Sequence, residues 1–294
     1  MKREDIAFNA DGTTLRGWLY RPERLDSAPV IVMAHGFSAV KEMYLDRYAE
    51  VFAKAGLAAL VFDHRDLGAS DGEPRQEINP WQQIEDYRHA ITYVSILPGI
   101  DARRVGIWGT SYSGGHVLVV GATDRRVKCV VAQVPTISGH ESGLRRVPAD
   151  KAAALTDAFA EDRLRRMLGE APSMRKVAGA PEEQPIYTAK DCVDWFTEGS
   201  KIAPSWKNEV TLRTVEWTRA YEPGAHIPHI SPTPLLMIVG LQDTITGTDL
   251  QLEAFNQALE PKKLALFAGG HFDPYVARFQ ESSRAAVDWF VAHL

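Results

Sequence analysis

Apolar residues come in two kinds of run along this chain, and they alternate. Ile6, Phe8, Leu15, Trp18, Leu19 and Tyr20 surround the turn Ala10-Asp11-Gly12, which predicts a pair of strands. Val30 to Ala34, bounded by Pro29 and Gly36, is a short, wholly apolar run that predicts a buried strand. Leu57–Phe62 predicts another, and Val105–Trp108, Val127–Val134, Leu235–Val239 and Leu264–Phe267 predict further strands. Between them lie stretches with helical spacing: Tyr44–Ala55, Pro80–Leu97, Gly114–Ala122, Asp249–Leu259 and Pro274 to the end. Apolar strands alternating with helices imply a mostly parallel twisted sheet covered on both faces, an α/β fold.

The alternation stops at Pro135 and resumes near Leu235. The intervening stretch predicts helices at Ala149–Leu168 and Trp206–Trp217, with a Pro/Gly/Glu-rich connector, Ala178 to Pro185, between them. So long a break is read as a largely helical cap over residues 136–231, inserted into a core formed by residues 1–135 and 232–294. The chain has 294 residues, 45% hydrophobic and 24% charged, which suits one large domain with an insertion.

The strongest chemical signal is Gly109-Thr110-Ser111-Tyr112-Ser113-Gly114-Gly115, set between a buried strand and a helix. A serine on such a sharp turn projects its hydroxyl from the sheet, and crowding demands small residues two positions either side. Those are Gly109 and Ser113, the second a departure from G-x-S-x-G. A serine hydroxyl needs a base and an orienting acid to become a nucleophile. Asp243, just past the Leu235–Val239 strand, and His271, in a Gly-rich loop after the last strand, complete the chain order serine, acid, histidine. Asp249 and Asp273 compete for the acid's place; the first sits at a helix start and the second is too near His271 in sequence. The oxyanion hole is expected from the backbone N–H groups of Tyr112 and of Phe37, in the loop His35-Gly36-Phe37-Ser38.

With these segments, and with Phe62-Asp63-His64-Arg65 and Gly68-Ala69-Ser70-Asp71-Gly72 in order, the chain resembles the α/β-hydrolase superfamily over essentially its whole length. Within it the chain is most similar to dienelactone-hydrolase-like and X-Pro-dipeptidyl-peptidase-like (S15) hydrolases. In dienelactone hydrolase proper the nucleophile is a cysteine, whereas here it is Ser111. The resemblance implies a Ser–His–Asp mechanism without a cofactor. It also implies that the charged loop Asp63–Asp71 is held by internal ion pairs rather than by a metal. His226 and His229, spaced about Pro228, make no convincing ligand pair, and His35 and His116 are read as structural.

The cap is rich in aromatics, of which Trp195, Trp206 and Trp217 are the candidates for the substrate pocket. An apolar lid favours a small-molecule acyl substrate with an apolar or aromatic part. The leading expectation is hydrolysis of a carboxylic ester. A thioesterase, an acyltransferase and a carbon–carbon hydrolase share the same apparatus, and a non-catalytic ligand-binding module shares the fold. The net charge of −5 gives no basic face for nucleic acid, and no segment is apolar enough to span a membrane. The charged N-terminus and two widely separated cysteines, Cys129 and Cys192, fit a reducing cytoplasm. A homodimer is compatible with this reading.

Overall fold

A computed structural model describes residues 1–23 and 27–294. Its sheet has eight strands: β1 (Lys2–Ala10), β2 (Thr13–Arg21), β3 (Ala28–Ala34), β4 (Ala58–Phe62), β5 (Ile100–Thr110), β6 (Val127–Gln133), β7 (Leu235–Gly240) and β8 (Lys262–Phe267). Their spatial order is β1-β2-β4-β3-β5-β6-β7-β8. β1 and β2 form a hairpin, β2 runs antiparallel to β4, and every later pairing is parallel. The hairpin turns at Asp11 and Gly12, both at positive φ, 51° and 88°, which suits the right-handed twist of the flanking strands.

Period-two alternation sorts the wholly buried strands onto two faces. Val30, Val32, Ala34, Leu60 and Phe62 point into one core layer. Ile31, Met33, Ala59 and Val61 point into the other. Helices cover both layers: α1 (Leu45–Lys54), α2 (Pro80–Ser95), α3 (Tyr112–Thr123), α4 (Thr248–Gln257) and α5 (Phe279–His293). The start of α2 is set locally. Asn79 accepts from the Trp81 and Gln82 amides, and Pro80 takes the first helical position, where no N–H is required.

Between β6 and β7 lie four more helices: α6 (Gly139–Arg146), α7 (Ala149–Met167), α8 (Lys190–Ile202) and α9 (Leu212–Arg219). A short ribbon pairs Met174–Arg175 with Val210–Thr211. The helix expected over Trp206–Trp217 is corrected here: helical structure begins only at Leu212. Asn208 is the reason, because its side chain accepts from the Ala178 amide and donates to the Ala178 carbonyl, at 2.9 and 2.8 Å. That fastens the segment to the connector instead of letting it coil. The helix over Lys190–Ile202 was not expected. This inserted layer is tied to the sheet side through Glu77, which pairs with Arg213 and accepts from the Thr211 hydroxyl.

The register of the parallel strands decides where chemistry can happen. Ala34 pairs with Gly109, Thr110 with Gln133, and Phe267 with Gly240. The loops after β3, β5, β7 and β8 therefore leave the sheet at one edge, its carboxyl edge, where open α/β sheets bind ligands.

Candidate active site

Ser111 sits between the end of β5 and the start of α3 at φ 57°, ψ −114°. A non-glycine residue held at positive φ is strained and needs surroundings that fix it. Its N–H donates to the Gln133 carbonyl at 2.9 Å, and its carbonyl accepts from Thr136 and Gly115 at 2.9 and 3.2 Å. Close approach explains the flanking small residues. A Cβ on Gly109 would lie 2.1 Å from the Ser113 carbonyl oxygen, and one on Gly36 would lie 2.9 Å from the Ser111 Cβ.

Ser113, where the motif usually has glycine, has a partner of its own. Its hydroxyl lies 3.2 Å from His64 Nε2, and His64 Nδ1 lies 3.3 Å from Asp86 Oδ2. Arg65 completes the cluster on Asp86 at 2.6 Å. Asp63, which opens the charged loop, is engaged in the same internal way, whereas Asp66 has no ion pair among the described residues, and burial, with Glu77 and Asp86 nearby, raises its carboxyl to about 7. Asp63 pairs with Lys41 Nζ at 2.7 Å and accepts from the Lys41 and Ala69 amides. His116, between Tyr221 and Gln83 at 2.8 and 2.9 Å, is buried. Burial, with His64 and His35 nearby, holds it well below the usual histidine range. His35 is likewise buried and pushed down to about 4.

His271 reaches Ser111 from the loop after β8. Its Nε2 is 2.9 Å from Ser111 Oγ, and its Nδ1 is 2.9 Å from Asp243 Oδ2. With the proton on Nδ1, the imidazole donates to the carboxylate and accepts from the serine hydroxyl. Asp243 is held in turn. Its Oδ1 accepts from the Ile245 and Thr246 amides at 2.9 and 3.0 Å, and its Oδ2 accepts from the Thr246 hydroxyl and Gln251 Nε2 at 2.8 and 3.1 Å. Burial pushes the Asp243 carboxyl up, but His271 and the Thr246 donors outweigh it and bring it to about 2. The two competing acids lie elsewhere. Asp249 forms a bidentate pair with Arg145, at 2.7 and 2.8 Å. Asp273 accepts from the Gly270 amide at 2.7 Å and so shapes the loop that carries His271.

Phe37 and Tyr112 flank the serine from the loop after β3 and the first turn of α3, with their rings edge to face at 5.5 Å. Neither backbone N–H is engaged by another group among the described residues. The start of α3 brings its positive dipole end to Ser111.

Above Ser111 and His271 is a small chamber of about 20 Å³, lined chiefly by apolar and aromatic side chains, among them Phe37, Trp195, Phe272 and Tyr275. A larger cavity of about 740 Å³ lies beside it, within the inserted helices. Phe37, Tyr187 and Ile245 line both. Of the three tryptophans expected at the pocket, Trp195 lines the chamber, stacked on Phe272 at 5.1 Å. Trp206 and Trp217 line neither cavity. Trp206 stacks on Phe196 at 5.2 Å and donates to the Ser38 hydroxyl, while Trp217 lies under the Arg213 guanidinium. Sequence reasoning missed Thr246 and Gln251, which hold Asp243. It also passed over Cys192, a chamber residue whose thiol burial pushes up to about 12. Short polar side chains around a buried acid leave no periodic signal.

Known proteins match this geometry over nearly the full chain. A family model described as X-Pro dipeptidyl-peptidase (S15 family) matches residues 11–273. The chain is 32% identical over 286 residues to the quorum-quenching protein AidA of Acinetobacter baumannii (strain MDR-ZJ06), covering 97% of this chain and 93% of the relative. It is 34% identical over 268 residues to the thiohydrolase aneE of Aspergillus aculeatus, covering 88% and 83% of the two chains. The crystal structure of the alpha/beta hydrolase GrgF from Penicillium sp. sh18 superposes with a TM-score of 0.85 at 27% identity, covering 100% of this chain and 99% of that one. A grgF protein of Penicillium sp. is described as a polyketide transferase.

Proposed function

This chain belongs to the X-Pro dipeptidyl-peptidase (S15) family of α/β-hydrolases, and we propose that it is a serine hydrolase that cleaves a carboxylic ester or related acyl substrate through an acyl-enzyme on Ser111. The observation that carries the reading is the unbroken relay from Ser111 Oγ through His271 to Asp243, with both contacts at 2.9 Å. In the proposed reaction His271 Nε2 takes the Ser111 proton as Oγ attacks the acyl carbon. Asp243 holds the imidazole in the tautomer this requires and stabilises the imidazolium that forms. The oxyanion rests on the Phe37 and Tyr112 N–H groups, worth about 3 kcal/mol for each well-aimed donor. The imidazolium then protonates the leaving group, and water delivered through His271 frees the enzyme.

Residues 136–231 act as the cap of this core and supply most of the substrate's surroundings. The chamber leaves about 20 Å³ beside the nucleophile, so an apolar or aromatic acyl segment would extend past Phe37, Tyr187 and Ile245 into the larger cavity. A second reading, thioester cleavage or acyl transfer, draws on the similarity to a thiohydrolase and to a polyketide transferase. The two are separated with p-nitrophenyl butyrate and butyryl-N-acetylcysteamine. Ester hydrolysis is expected, with Ser111→Ala abolishing it while circular dichroism stays native. Turnover of the thioester alone would favour the second reading. Undiminished turnover in Ser111→Ala would defeat both.

A further inference from the structure

The large cavity is electrostatically at odds with the rest of the molecule. The chain carries a formal net charge of −5, yet the cavity wall holds five cationic side chains, Arg145, Arg146, Lys151, Arg175 and Arg219, and no Asp or Glu. Only Arg145 is answered, by its bidentate pair with Asp249. Arg146, Lys151, Arg175 and Arg219 have no carboxylate partner among the described residues, and Arg146, Arg175 and Arg219 are half-buried. Like charges gathered in a concave, partly dry wall repel one another and attract an anion more strongly than exposed cations do.

Arg146 has a distinctive place among them. It ends α6, its Nη2 donates to the Ile245 carbonyl at 3.3 Å, and its guanidinium stands 4.7 Å over the Tyr187 ring. Ile245 and Tyr187 are two of the three residues that line both cavities. Arg146 therefore stands at the junction between the apolar chamber over Ser111 and the basic cavity beyond it. Its planar fork remains available for bidentate recognition of a carboxylate or phosphate.

From this juxtaposition we infer that the substrate is an anionic acyl compound, whose reacting carbonyl reaches Ser111 at the narrow apolar chamber while its body lies in the larger cavity, where a carboxylate or phosphate is held by Arg146, Arg175 and Arg219. The inference rests on the reading of Ser111 as nucleophile and adds the charge of what it attacks. The anion has two possible sources: a carboxylate on the acyl side or a phosphate on the leaving group.

Two matched substrate pairs test it. The first is mono-p-nitrophenyl adipate against p-nitrophenyl hexanoate; the second is hexanoyl-coenzyme A against hexanoyl-N-acetylcysteamine. In at least one pair the anionic member is expected to show kcat/KM at least about tenfold higher, as for a charge-assisted contact. A preference in the first pair assigns the carboxylate, and in the second the phosphate. Arg146→Gln is expected to collapse that ratio by about tenfold, Arg146→Lys to keep most of it, and added salt to lower it. Ratios near unity in both pairs, with Ser111-dependent turnover of the neutral members, would overturn the anionic assignment and leave the hydrolase reading standing. A ratio unmoved by Arg146→Gln would overturn the assignment of that residue. Failure of all four substrates would overturn the hydrolase reading as well.

Discussion

Asp243 keeps its charge in a place that burial alone would neutralise. Four hydrogen bonds from Ile245, Thr246 and Gln251 and the neighbouring imidazole hold its carboxyl at about 2. Replacing it by asparagine keeps the shape but offers Nδ1 an amide, which favours the wrong tautomer of His271. Asp243→Asn is therefore expected to lower kcat on the order of 10⁴-fold, measured on a p-nitrophenyl ester, with little change in KM. A fall of less than about tenfold would mean that the imidazole does not need this acid. The sign of the pH dependence follows from the direction of the shift. An acid whose folded pKa lies below its unfolded value of roughly 4 stabilises the fold above that pH. The contribution is lost as pH falls through about 2. In thermal melts, the acid-side decline of the wild type should be steeper than that of Asp243→Asn. Much at the residue scale was legible in the sequence, because the elbow and the acid follow buried strand ends and the histidine follows a short apolar run, although that last strand lies at the sheet edge and is buried only at Phe267. Thr246 and Gln251 were not legible, since the need for them appears only once Asp243 is buried.

At the scale of the element, the strand–elbow–helix unit explains its own irregularity. Ser113 is compatible with the turn and gives the buried His64 ring a partner at 3.2 Å. Removing the hydroxyl leaves a buried nitrogen unsatisfied, so Ser113→Ala is expected to cost about 1–3 kcal/mol in urea unfolding. An unchanged midpoint at unchanged m-value would show that the contact contributes nothing. The same unit shows why strands were easier to read than the inserted helices. β3, β4 and β7 are buried along their whole length, so their apolar runs are unbroken. In α8, by contrast, Cys192, Trp195, Phe196 and Gly199 are buried at helical spacing, but Trp195 packs on Phe272 and Phe196 on Trp206. Those aromatics answer to neighbours distant in sequence, and without the neighbours their spacing looks like a mere cluster. The misplaced helix at Trp206 has the same origin, since Asn208 obeys Ala178 rather than its own local propensity.

Across the whole molecule, a mostly parallel sheet gathers four loops at one edge, and helices between β6 and β7 line the cavities beside them. The sheet's part in this was legible from the alternation of buried runs. The large cavity was not legible, because it is lined from α6, α7, α9, the connector and the loop after β7 together. The expectation of a substrate with an apolar or aromatic part gains a second feature: the chamber at Ser111 is apolar, and the wall of the space beyond it carries five cationic side chains. Among the described residues no helix is long and apolar enough to cross a membrane. On the proposed function, Ser111 is the residue that becomes covalently modified. The most direct test is intact-mass and peptide-mapping mass spectrometry after reaction with a fluorophosphonate. A single adduct is expected on Ser111 of the folded protein, absent from Ser111→Ala and from urea-unfolded protein. An adduct on another residue, or none while ester hydrolysis proceeds, would contradict it.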